Sequence, residues 1–443
     1  MRSVPRFALS TLAAVAVLTV GAMAPPPIWA AADSTMAVPS AAVPGQAGEV
    51  WSLARCIQTA LESNGDVRGA NARTMQARGG ALSAWSNVLP SVTASAGITR
   101  INPQGTVNPV DVSSISGSLQ TNLLDIRAWS DKRRQDHLRT SARHGEAETR
   151  NDVVFRVKQQ YFECIKAKRL AEVARDSERL ARDEETRSEA LFQVGSVARG
   201  DVLKARARRA STQLSRIQAV NQVNIQLQRL KQLLGVEIGT SLYVEAEMDG
   251  ETALPDSASV VAQAIRSRPL LASAQASERA ARSGLFGART SRAPRVTGTA
   301  NVERTRIEES PASTEWTGAL RVSVPLFDGL ATEGNVRAAK GSLLESEASR
   351  RQLELDVAVE TQQAWLLLKE AVERIAVARE GVASAEEDHK FSKSRYELGA
   401  GTYLDLLTAA VGLEQARQQL VEAQADARVA EAALERAIGE RRY

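Results

Sequence analysis

Residues 192–201 read FQVGSVARGD, and 204 residues further on residues 396–405 read YELGAGTYLD. Each is a glycine turn followed by an aspartate, and each interrupts a stretch without proline. The same offset persists far from the turns. Ala60 meets Ala264, Ser63 meets Ser267, Gly80 meets Gly284, Pro90 meets Pro294, and Val92-Thr93 meets Val296-Thr297. Further on, Gln159 meets Gln363, Leu203 meets Leu407, and Gly235 meets Gly439. One offset kept across so many landmarks marks an internal duplication, and a period this long is a duplicated domain rather than a solenoid. The reading is two repeats, 49–240 and 255–443, joined by a linker at 241–254, with turns at about 195–201 and 399–405.

Outward from each turn the sequence is helical. No proline occurs between Val110 and Leu254, or from Leu326 to the end. Each turn is therefore preceded by a helix of about 66–68 residues, roughly 100 Å long, and followed by a return helix of about 34, roughly 50 Å. The return helices stop at Leu234-Gly235 and Ile438-Gly439, a helix C-terminus signal. Residues 51–88 are rich in Ala, Arg and Leu, and predict one helix of about 38 residues, roughly 57 Å, ended by Pro90. The two shorter helices end to end thus match the long one. The last return helix carries Leu413, Ala416, Leu420, Ala423, Ala427, Ala430, Leu434 and Ala437 at alternating steps of three and four, a coiled-coil seam of small knobs.

Between the first helix and the long one the period changes from helical to two. Val92, Ala94, Ala96 and Ile98 alternate with Thr93, Ser95 and Thr99; after a Pro/Asn/Gly loop, Ile115, Gly117 and Leu119 alternate with Ser116, Ser118 and Gln120. The second repeat does the same at Val296, Gly298, Ala300 and Val302, then at Trp316, Gly318, Leu320 and Val322. Two hairpins are predicted, at about 90–124 and 294–327, giving four strands of about ten residues with one apolar side each. Such a sheet either packs its apolar side on the helices or faces lipid. Strands of about ten residues suit a tilted crossing of a bilayer, and lipid does not tolerate open sheet edges, so the lipid reading requires several chains to close a barrel. Trp85, Trp129, Phe286 and Phe327 flank the strands where an aromatic girdle would lie. Arg127, Arg133, Arg134 and Arg321 near the strand ends are candidates to line the lumen, or are solvated surface charges.

Composition narrows the function classes. Of 443 residues, 43% are hydrophobic and 24% charged, which excludes global disorder. Fifty-six basic against 52 acidic residues leave a formal charge of +4, so no nucleic-acid partner is expected. Two cysteines and three histidines are too few for a zinc-rich or disulfide-rich module, and no cofactor or metal is expected. Cys56 and Cys164 are expected as unpaired buried thiols. There is no Ser-His-Asp order, HExxH, Walker loop or CxxC, and His137 and His144 lack a third ligand, so the chain reads as a non-enzyme. Arg2 and Arg6 before the apolar run Phe7–Ala24 predict an export signal at 1–32, cleaved after Ala30 or Ala32, and residues 33–48 a flexible leader. No second apolar run exists, which excludes a polytopic helical membrane protein but not a barrel.

The opening LARCIQTALESNGDVRGANARTMQARGGALSAWSNVLPSVTASAG (53–97), the strand end VPLFDGL (324–330) and the turn YELGAGTYLDLLTA (396–409) together resemble the TolC-like outer membrane efflux protein family over essentially the whole mature length. The resemblance implies a mostly α protomer with a small β part. Three copies would form a twelve-stranded outer-membrane barrel continued across the periplasm by a helical tunnel, with residues 241–254 in an equatorial region. It implies a homotrimer in outer-membrane lipid, serving a periplasmic adaptor and an inner-membrane transporter of an efflux or type I secretion system. The adaptor would dock on the turns, at Val194, Gly195, Ser196, Leu398, Gly399 and Ala400. Asp201 and Asp405 would ring the periplasmic aperture. They are equally read as helix N-terminal caps, and one side chain can do both. Some family members carry an Arg four residues before this aspartate and a second Asp three after. Here those positions are Gly401 and Thr408, which argues against a salt-bridge latch and leaves closure to helix packing. The competing reading is a soluble periplasmic coiled-coil adaptor or scaffold, which leaves the two matched hairpins unexplained.

Overall fold

A computed structural model of the chain describes residues 50–102, 110–245, 254–307 and 311–439. The expected export signal and leader lie outside the described residues, as does most of the linker. In chain order the elements are β1 (Val50–Trp51), α1 (Leu53–Ser63), α2 (Gly65–Ser83), β2 (Ser91–Ile101), β3 (Val110–Leu124), α3 (Ile126–Gln193), α4 (Arg199–Leu234), β4 (Tyr243–Val244), α5 (Ser257–Ser267), α6 (Pro269–Arg289), β5 (Arg295–Ile307), β6 (Ser313–Ser323), α7 (Ala331–Glu397) and α8 (Tyr403–Ile438). At 68 and 67 residues, α3 and α7 are the long rods. The shorter helices α1, α2 and α4 lie along α3, while α5, α6 and α8 lie along α7. The two sets are joined because α3 also packs on α6 and α8.

One expectation needs correcting. Residues 51–88 do not form a single helix. The run breaks at Asn64, whose backbone is extended (φ −64°, ψ 135°), between α1 and α2. A polar side chain makes the break favourable. Asn64 Oδ1 accepts from the Asp66 N–H at 2.8 Å, capping α2, and Nδ2 donates to the Leu233 carbonyl at 2.8 Å, serving the end of α4. The partner position Arg268 is extended as well (φ −67°, ψ 122°), with Pro269 opening α6. Proline fits the first helical turn, where its missing N–H is not needed.

The core sits at this level. Trp51, Cys56, Ile57, Val153, Val157, Tyr161, Cys164, Ile165, Leu230 and Leu234 form one buried cluster, joined from α8 by Val421 and Ala425. The linker begins as structure rather than as a tether: β4 pairs parallel with β1, which buries Leu242 and Val244 in the same cluster. The seam expected on α8 is buried at Leu413, Ala423, Ala427, Leu434 and Ala437, and a second row, Val421, Ala425 and Ala432, is buried too. Alanine on both faces lets α8 lie between α7 and α3, which a one-sided heptad reading does not anticipate.

Both cysteines are free and buried. Loss of hydration pushes each thiol up to about 12, so neither forms thiolate at neutral pH. Native protein at about pH 8 should therefore take up no iodoacetamide by intact mass, and two adducts once denatured; rapid native labelling would contradict the burial.

The sheet has the order β2-β3-β5-β6 and is antiparallel throughout. Val92 pairs with Leu119, Leu119 with Ala300, and Ala300 with Gly318. Gly117 likewise pairs with Val302, and Val302 with Trp316. Directly opposed residues share a face. The register therefore gathers Val92, Ile98, Ile115, Leu119, Val302, Trp316, Leu320 and Val322 onto one side, and Thr93, Ser95, Ser116, Ser118, Thr299, Asn301 and Thr317 onto the other, joined at the end away from the helices by Ile101, Val110, Val112 and Ile307. A bulge between Asn122 and Leu124 shifts the register at the helix-proximal end of β3.

Candidate functional site

The apolar side of the sheet is not covered. Val92, Ile98, Ile115, Val302, Trp316, Leu320 and Val322 are all exposed, and β2 and β6 are open edges. The alternative placement, with this side packed on the helices, is not what the chain adopts. Strand directions alternate across the sheet, so setting the β6 edge of one copy beside the β2 edge of another keeps the antiparallel pattern. Arg321 pairs with Thr297 and lies on the polar side, whereas Arg127 and Arg133 are simply exposed and Arg134 sits 3.8 Å from Asp131. Of the four flanking aromatics, Trp85 and Trp129 make an edge-to-face pair at 6.2 Å, and Phe286 and Phe327 are exposed. Among the described residues no helix is long and apolar enough to cross a membrane.

The two glycine turns come together at one end of the rods. In the first, α3 ends at Val194 and Gly195 takes φ +75°, which lets the Ser196 N–H reach the Leu191 carbonyl at 2.9 Å. In the second, Gly399 at φ +71° lets the Ala400 N–H reach the Arg395 carbonyl at 2.9 Å. Glycine adopts this left-handed turn without steric cost. The turns leave Val194 and Leu398 at 73% and 83% exposure, with Gly195, Ser196, Gly399 and Ala400 exposed beside them. The six residues expected to dock a partner thus form two apolar-tipped knobs.

The two aspartates behave differently. Asp405 is the third helical residue of α8 and closes a capping box with Thr402. The Asp405 N–H donates to Thr402 Oγ1 at 3.2 Å, and the Thr402 N–H donates to Asp405 Oδ2 at 3.0 Å. These bonds hold its carboxyl below the usual range, with a smaller contribution from the charge of Arg395. In the first turn the N-cap of α4 is Ala198, which has no side-chain acceptor, and Asp201 instead takes Lys204 at 3.4 Å. The cap reading therefore describes Asp405 and not Asp201. Thr408 Oγ1 donates to the Leu404 carbonyl of its own helix at 2.8 Å, and Gly401 packs on Arg395.

The contacts that tie the two turns together are tertiary. Tyr396 and Tyr403 meet edge to face at 5.8 Å inside a cluster with Ala205 and Leu406, and Ser188 Oγ lies 3.4 Å from Tyr396 Oη. Arg187 forms an ion pair with Glu397. Burial raises the Tyr403 hydroxyl well above its ordinary value, and the nearby Glu184 charge adds to this. Sequence reasoning misses this cluster, and the available signal is two tyrosines bracketing a glycine turn in a chain with only five. The cap bonds stabilise Asp405 as an anion, so it adds stability above the ordinary carboxylate pKa and loses it as pH falls through its depressed value. Asp405→Asn should abolish that acid-side dependence in amide exchange at the start of α8; an unchanged profile would mean the box contributes nothing in solution.

The profile of the outer membrane efflux protein family matches residues 56–236 and again 260–440. The chain is 24% identical over 193 residues to the outer membrane efflux protein BepC of Brucella suis, covering 43% of this chain and 42% of BepC. It is 26% identical over 286 residues to the protein CyaE of Bordetella pertussis, covering 63% of this chain and 60% of CyaE. The aligned parts thus span only about half the length of these relatives. The fold matches the CmeC outer membrane channel of Campylobacter jejuni with a TM-score of 0.79 at 19% identity, over 87% of this chain and 85% of that one. The paired rods, the four-stranded sheet with its uncovered apolar face, and two family matches that take in most of the sequence lead to one assignment: this chain belongs to the outer membrane efflux protein family.

Proposed function

We propose that three copies of this chain close their sheets into a twelve-stranded outer-membrane barrel and their rods into a periplasmic duct. The duct would be the exit conduit of a tripartite efflux or type I secretion system. The observation that carries this is the register, which puts Val92, Ile98, Ile115, Leu119, Val302, Trp316, Leu320 and Val322 on one exposed face and leaves two unpaired edges. Each unpaired backbone group in lipid costs several kcal/mol, of order 2 or more, so the edges demand partners. A conduit makes and breaks no bonds, so its sites are surfaces. Val194, Gly195, Ser196, Leu398, Gly399 and Ala400 form the knobs that meet a periplasmic adaptor, itself joined to an inner-membrane transporter. Asp405, exposed and anionic, and Asp201, half-buried beside Lys204, stand at the aperture, with Asp405 both cap and ring member.

Membrane extraction tests the reading. The protein should resist carbonate, need detergent, and run as a heat-modifiable oligomer; release by carbonate as a monomer would return it to the soluble adaptor class. In planar bilayers Asp405→Lys should change single-channel conductance severalfold and reduce cation preference, since a charge ring acts directly on passing ions. Unchanged currents would leave Asp405 as a cap alone.

A further inference from the structure

The apolar face of the sheet changes character at the end away from the helices. One step past Val302 on that face stands Arg304, and one step further Arg306. Arg304 pairs with Ile115 and Thr314, and Arg306 with Ser113, which in turn pairs with Ile98. Both guanidinium groups therefore leave the side of the sheet that carries Val92, Ile115 and Trp316, and both residues are exposed. Trp316, at 78% exposure, pairs with Val302, and on β5 and β6 these two are the last apolar side chains before the arginines, while Ile115 and Ile98 continue the apolar face beside them on β3 and β2. At that same level the opposite, polar face carries Glu303 directly across from Glu315. At this end of β5, Glu303 on one face and Arg304 and Arg306 on the other are thus sorted by sign within adjacent residues. Asp111, the one described acidic residue at this end of the apolar face, is taken by Arg100 through two hydrogen bonds at 2.7 and 2.8 Å. Glu308 and Glu309 lie outside the described residues.

We propose that Arg304 and Arg306 form a binding site on the outer wall of the barrel for the phosphate groups of outer-leaflet lipid. This rests on the apolar face being the lipid face. An indole at the edge of an apolar band marks the boundary of the hydrocarbon, where aromatic girdles sit. Groups one and two rungs beyond it stand at headgroup depth, since each pair of residues advances about 7 Å along a strand. Arginine meets phosphate with a planar, two-pronged donor set, and its long stem lies along apolar surface while the head reaches the polar layer. Facing lipid on one side and backed by glutamates on the other, the pair is placed to hold an anionic headgroup and not a passing solute.

The test uses the delipidated oligomer in detergent, titrated with diphosphorylated lipid A and read by native mass spectrometry. The double variant Arg304→Gln/Arg306→Gln should bind it about tenfold more weakly than wild type or worse, and Arg304→Lys/Arg306→Lys should fall between. Inorganic phosphate at equal concentration should not displace the lipid; displacement would point to a bare anion site and overturn the proposal. Equal lipid retention by wild type and the Gln variant would also overturn it, as would altered conductance with retention unchanged, which would put the two groups in the lumen. The conduit reading is scored separately by the heat-modifiable oligomer, which both variants should still form.

Discussion

Alanine at Gly235 or Gly439 is expected to destabilise the protein by about 2–4 kcal/mol, through left-handed backbone strain plus a clash that nothing flexible can relieve. These glycines end α4 and α8 at φ +69° and +76°. A Cβ on Gly235 would lie 2.8 Å from the Ser63 carbonyl oxygen, and one on Gly439 would lie 2.9 Å from the Arg268 Cα. Both obstacles are backbone at the break between stacked short helices, so the return helix would have to back away from the break. The turn glycines provide the internal comparison. Gly195 and Gly399 have the same sign of φ, but a methyl group added at either would meet nothing within 4 Å. Alanine there should cost only about 1 kcal/mol, the conformational part. Thermal unfolding followed by the helical signal across the four variants separates the two contributions. Equal losses at all four sites would show that the close approach at the breaks does not matter.

Arg268→Ala should cost about 3–5 kcal/mol, because it leaves a buried carboxylate without its cation. Arg268 is 3% exposed and sits at the break between α5 and α6. Its guanidinium donates to Glu148 of α3 at 3.2 Å and to Glu360 of α7 at 2.5 Å, and Arg436 of α8 holds Glu360 at 2.9 Å and Asp152 at 2.5 Å. One network therefore ties four parts of the chain. Glu148 is its least satisfied member: Oε2 has no hydrogen-bond partner, and burial raises the carboxyl pKa against the opposing pull of Arg268. The sign follows. A carboxyl whose folded pKa is raised contributes stability below the unfolded value and loses it as pH rises through the folded value. Removing the cation should raise that pKa further, so the Arg268→Ala defect should be largest near about pH 8 and shrink toward about pH 5. Arg268→Met combined with Glu148→Met should recover most of the loss, since a buried pair replaced by apolar groups is often neutral. A pH-independent defect, or no recovery in the double variant, would assign the loss to packing.

Much of the fold is legible in the sequence because its signals are local and repeated. Proline-free runs with few glycines specify α3 and α7 by themselves, and period-two alternation specifies the strands even though Ala, Gly, Ser and Thr make it weak. The first helix divides where composition predicts continuity, because Asn64 is a break only in company. Its amide needs the Leu233 carbonyl of α4, 169 residues away, to make an extended residue more stable than a helical one. The turns are legible from glycine, but not the tyrosine pair that joins them, since the meeting of Tyr396 and Tyr403 with Ala205 depends on how two rods pack.

By itself the sequence determined the two long rods, their return helices, the four long strands and which strand residues are apolar, because each depends on neighbours within a turn or two of chain. The contrast between the two aspartates is of the same local kind: the position three before Asp405 is Thr402, whose hydroxyl completes a box, and three before Asp201 it is Ala198, which cannot. Only the tertiary structure decided that Val92, Ile115, Val302 and Trp316, drawn from four strands in distant segments, share one uncovered face, since register is a property of pairs. It also decided that Arg268 is buried between carboxylates of α3 and α7. Glu148 and Glu360 lie 120 and 92 residues from it along the chain, and only packing brings them within hydrogen-bonding reach.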